Sequence, residues 1–159
     1  MKRATAVIGF LLAASLLPLG ATAHADEGGG TEAPVAAAAS YFRMSTDDGD
    51  PGGFVRFHPT GDRVELWDDQ PDGKGVFLVV TNVTRDPNFY EYHLHHSSGY
   101  HTSPLVTSAE YGQPSNLAEG ACIRFETWLI DNGELMDDTY DRAQWRNNNG
   151  SLDECPGVD

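Results

Sequence analysis

Apolar residues recur with a period of two over much of the chain, the spacing that places side chains on alternate faces of a β-strand. Residues 54–57, Phe-Val-Arg-Phe, read as a short strand closed by Pro59, Thr60 and Gly61. Residues 63–67 alternate with Val64 and Leu66 inward, which turns Trp67 to the opposite face. Residues 76–80, Val-Phe-Leu-Val-Val, are apolar without interruption, and that predicts a central strand covered on both faces. In the next segment Tyr90, Tyr92 and Leu94 share one face, expected in the core, with Glu91, His93 and His95 on the other. Residues 122–130 alternate again, Ile123, Phe125 and Leu129 inward and Trp128 outward. Asp131-Asn132-Gly133-Glu134 carries the Asn-Gly signal of a tight hairpin, with residues 139–146 as the return strand. Residues 97–120 are poor in pattern and read mostly as loop, and the Ala-rich residues 35–40 suit a helical turn without an amphipathic stripe.

Six or so short strands separated by Gly, Pro, Asp and Asn predict an all-β fold, an antiparallel β-sandwich or small Greek-key barrel. Composition changes the picture at the two ends. Met1-Lys2-Arg3, an apolar run over residues 4–20 and Ala23-His24-Ala25 fit a cleaved signal peptide over residues 1–25. Its apolar core is too short for a membrane span, and no later stretch reaches the roughly 20 apolar residues that a membrane helix needs. Residues 26–40 follow as a flexible Gly-rich leader, and residues 41–159 form one β domain. Leu, Ile, Val and Phe make up 20 of the 77 residues from 54 to 130, enough for a core there, whereas the flanks are too polar to bury themselves. Cys122 and Cys155 are expected to pair in an oxidising compartment. That bridge would pin the polar tail to the strand carrying Cys122 and stabilise the fold by roughly 3–4 kcal/mol.

The net charge of −14 becomes −16 once residues 1–25 are gone (8 cations, 24 acids). A chain this acidic repels phosphate backbones, which argues against nucleic acid as a partner. The expectation is a secreted, extracellular monomer that binds an unidentified extracellular ligand.

The combination Gly61-Asp62-x-Val64 with Trp67-Asp68, then Asp72-Gly73-x-Gly75, then Ala118-Glu119-Gly120-x-Cys122-x-x-Phe125 resembles small secreted proteins of actinomycetes. The resemblance spans about residues 61–130 and implies a compact β-sandwich of uncharacterised role, with no catalytic residues to carry over. A single cysteine pair and a segment rich in His and Tyr over residues 89–101 depart from that pattern.

Four kinds of chemistry have candidate residues. Asp68-x-Gln70-x-Asp72-Gly73 places oxygen ligands at alternate positions before a glycine bend, as calcium loops do. Val79 stands where a bidentate Glu would close an EF-hand, so that motif is excluded; a weaker calcium site or a plain hairpin turn at Asp72-Gly73 remains. Glu91, His93 and His95 lie on one strand face, with His101 able to return from the following loop, a donor set suited to zinc or copper. The alternative is a solvated polar face without a cofactor. Trp67, Trp128 and Trp145, ringed by Asp and Asn, are candidates for a carbohydrate-binding platform. Catalysis has little support: Ser97-Ser98-Gly99 beside His95 is not a triad arrangement, and Gly-x-Ser-x-Gly is absent. The expectation is a non-catalytic protein, the alternatives being a metal-binding protein, a small hydrolase, or a protease inhibitor presenting the loop 97–112.

Overall fold

Among the described residues, nine strands make two antiparallel sheets whose facing side chains form the core. The computed structural model describes residues 40–97 and 103–156. The expected signal peptide, the leader up to residue 39 and His101 lie outside the described residues. The first sheet runs in the order β1 (Phe42–Ser45), β2 (Gly53–His58), β3 (Arg63–Asp68), β6 (Leu105–Thr107). The second runs β5 (Tyr92–His96), β4 (Gly75–Asn82), β7 (Cys122–Asp131), with β8 (Glu134–Leu135) and β9 (Asp141–Arg146) both pairing with the far edge of β7. The chain crosses between sheets from β3 to β4, from β5 to β6 and from β6 to β7.

Alternation sets the inner layer. Register places Phe42, Phe57 and Val64 in one row across the first sheet, and Met44, Val55 and Leu66 in another, all buried. From the second sheet Val76, Leu78, Val80, Ile123, Phe125 and Leu129 face them. Aromatic rings join the layers: the Phe57 and Phe125 centroids are 4.9 Å apart, and Trp145 lies 5.0 Å from both Phe42 and Phe125. At one end the layers close on Gly53. A Cβ there would sit 2.4 Å from a methyl of Val76, so only glycine permits the approach.

Three expectations need correction. Residues 76–80 are central in their sheet, but only one face is packed inside: Phe77 and Val79 face outward and are half-covered. Asp72-Gly73 bends the chain between the two sheets rather than closing a hairpin, since β3 and β4 do not pair. Tyr90 precedes β5 and is 50% exposed, while Tyr92 is buried and Leu94 packs against the core. The stretch read as loop contains β6 and a single 3-10 turn at Ala109–Tyr111, and the four-residue β1 adds the outer edge of the first sheet. Other expectations hold. Asn132 and Gly133 take positive φ (49° and 87°) in the hairpin joining β7 to β8. Cys122 is bonded to Cys155, and the tail is held beside β9 by backbone hydrogen bonds from Arg146 to Asp153 and from Cys155 to Gln144.

Candidate functional site

The outward-facing side chains of the second sheet form one unbroken strip of rings. Register sets its centre: Phe77 pairs with His95 on one neighbour and with Trp128 on the other, so three rings stand in a row across β5, β4 and β7. The Phe77 ring lies 5.4 Å from His93, 6.1 Å from His95 and 6.5 Å from Trp128. Beyond Trp128, Tyr140 closes to 4.9 Å, brought there by the 3-10 turn Asp137–Thr139 that leads into β9. Beyond His93, Tyr90 approaches edge-on at 5.9 Å and is itself stacked on Phe89 at 5.9 Å. The strip is solvent-facing at both ends, with Phe89 64%, Tyr90 50% and Tyr140 36% exposed.

Polar groups border it on the same face. Arg124 Nε donates to Glu126 Oε2 at 3.0 Å, and the Tyr140 hydroxyl donates to Glu126 Oε1 at 3.0 Å. Burial, and then that bond to the carboxylate, push the Tyr140 phenol above its ordinary value of 10.0. The Arg124–Glu126–Tyr140 chain holds Tyr140 against Trp128 and leaves charged hydrogen-bonding groups at the edge of the half-exposed rings. Beside His95, the residues His95, His96, Ser97, Ser103, Pro104 and Leu105 line a shallow open depression.

The three tryptophans occupy three different environments. Trp128 is in the strip. Trp145 is not a platform residue: it is 5% exposed and stacked inside the core, because it pairs with Ile123, whose side chain points inward. Trp67 lies on the outer face of the first sheet, stacked 5.4 Å from Phe54, with its Nε1 donating to Glu65 at 3.0 Å.

The candidate metal ligands among the described residues have other partners, and His101 lies outside those residues. Glu91 sits before β5 and pairs with Arg85 at 3.1 Å, while His93 and His95 lean on Phe77. Asp68 is buried at the end of β3, the Gln70 amide donates to the Asp50 carbonyl, and Asp72 holds Lys74 at 2.9 Å, which keeps its carboxyl below the usual range despite partial burial. Among the described residues no three His, Cys, Asp or Glu side chains come together as a metal site.

Sequence reasoning found His93, His95 and Trp128 but missed Phe77, Phe89, Tyr90 and Tyr140 as surface rings. The signal for Phe77 was present: a strand apolar on both faces needs cover on both, and a two-layer fold supplies only one. No protein-family model matches the chain, no curated protein matches it, and no solved structure matches it.

Proposed function

We propose that this is an exported, non-catalytic binding protein that holds a polysaccharide chain along the ring strip of the second sheet. One observation carries the reading, the continuous run Phe89–Tyr90–His93–Phe77–Trp128–Tyr140 on an open sheet face. Sugar rings present C–H faces that pack on aromatic π-faces and hydroxyls that need hydrogen-bonding neighbours, and Glu126, Arg124 and the Tyr140 hydroxyl stand at the border. An anionic lipid surface is disfavoured by a net charge of −14. The signal-peptide pattern at residues 1–25 and the Cys122–Cys155 bond support export.

The test is retention on insoluble neutral polysaccharides (cellulose, chitin, xylan). At least one should retain the protein and change its tryptophan fluorescence. Trp128→Ala should weaken that retention about tenfold, the effect of losing roughly 1.4 kcal/mol of contact. Retention by none of them, or retention unchanged in Trp128→Ala, would reject the reading.

A further inference from the structure

The opposite outer face, on the first sheet, has a different chemistry. Register brings Arg43, Arg56 and Glu65 into one row across β1, β2 and β3, with Ser45, Phe54 and Trp67 in the row on one side. On the other side His58 is opposite Arg63, and the Tyr41 ring sits 5.2 Å from the His58 ring. Glu65 is 4% exposed although it faces outward. Arg63 reaches it at 2.9 Å, His58 at 3.4 Å and Arg56 at 3.6 Å, and the Trp67 indole donates to it. Desolvation, opposed by Glu65 and aided by Arg63, holds the His58 pKa below 6.5, so near neutral pH the ring adds no charge.

Two guanidiniums, those of Arg56 and Arg63, thus share one carboxylate, and Arg43 is a third cation beside them. Arg43 stands directly opposite Arg56 across the β1–β2 pair, an arrangement in which like charges repel, and Arg43 forms no ion pair among the described residues. It is held instead over the Phe54 ring, 4.3 Å from its centroid, while Arg56 lies within 5.1–5.3 Å of Tyr41, Phe54 and Trp67. A guanidinium stacked by its face keeps its N–H edge for acceptors. Three Arg less one Glu leave +2 on this face of a chain whose total is −14, so everything else sums to −16. Glu110, which lines a hollow with Arg63 at the β6 edge, makes no ion pair with it among the described residues.

We propose that this face binds an acidic polysaccharide through its carboxylates, seating them between Arg43, Arg56 and Arg63 with sugar rings against Tyr41 and Trp67. An anion there relieves the Arg43–Arg56 repulsion, and planar carboxylates match the guanidinium fork. Alternation of rings and guanidiniums suits a polymer that alternates pyranose faces and carboxylates, as polyuronates do. The site does not depend on the ring strip, since the two lie on opposite outer faces.

Titration of the full protein with oligogalacturonate tests it. Binding is expected to weaken with salt and to fall about tenfold or more in the double variant Arg43→Gln/Arg63→Gln. Both side chains are exposed or half-exposed, and circular dichroism should show that the variant folds. Trp128→Ala should bind oligogalacturonate like the parent, which separates this site from the strip. The proposal is overturned if oligogalacturonate does not bind or if the double variant binds it equally well. It is also overturned if polyphosphate binds as tightly with the same dependence, or if the two arginines govern self-association of the chain instead.

Discussion

Asp62 shows how much one side chain can hold. It takes a positive φ of 53° at the β2–β3 turn, and its carboxylate accepts from the Leu117 backbone N–H at 2.9 Å and from the Asn147 amide at 2.8 Å. These bonds join three segments distant in sequence at one end of the sandwich, and Asn147 is fully buried. Burial raises the Asp62 pKa above 3.8, against the pull of both hydrogen bonds. The folded form therefore keeps a proton that the unfolded chain has lost, and stability falls as pH rises from 3.8 through the elevated value. Asp62→Ala should leave the Leu117 N–H without its acceptor and the Asn147 amide with only its longer bonds to the Leu117 and Ala118 carbonyls, and cost about 2–3 kcal/mol in chemical denaturation. It should also flatten that acid-side slope, and an unchanged slope would assign it to other groups.

The informative element is β4. Val76, Leu78 and Val80 fill the core with no exposed surface, while Phe77 and Val79 face outward between β5 and β7. A strand with two apolar faces in a two-layer fold leaves one of them for something other than the protein's own core. Phe77→Thr should therefore separate stability from binding. It removes a half-exposed ring at about 1 kcal/mol, a shift of a few degrees in Tm, because a β-branched residue suits the position. It should also interrupt the strip at its centre and abolish polysaccharide retention. A large loss of Tm with retention intact would make Phe77 a packing residue.

In the whole molecule two unlike faces flank a single core, one a ring strip with a polar border and the other rings interleaved with arginines. The bridge between Cys122 and Cys155 closes the polar tail onto β7. Cys122→Ser/Cys155→Ser should cost roughly 3–4 kcal/mol, read by calorimetry, and should free the tail's hydrogen bonds to β9 as faster amide exchange at Arg146 and Cys155. The sequence alone determined the all-β class, the inward sets of β3 and β7, the Asn132-Gly133 turn and the cysteine pairing. Each follows from local alternation, turn chemistry or the count of thiols. It put Trp128 on the outer face but did not reveal that Trp145 faces inward, nor β1 or β6, which are too short to show a period. Only tertiary structure decided which rings met. Phe89, Tyr90, Phe77, Trp128 and Tyr140 come from four separate segments, and Arg43, Arg56 and Glu65 from three strands. Strand order and register, set by long-range pairing across the sheets, bring such residues side by side, and no local pattern encodes that pairing.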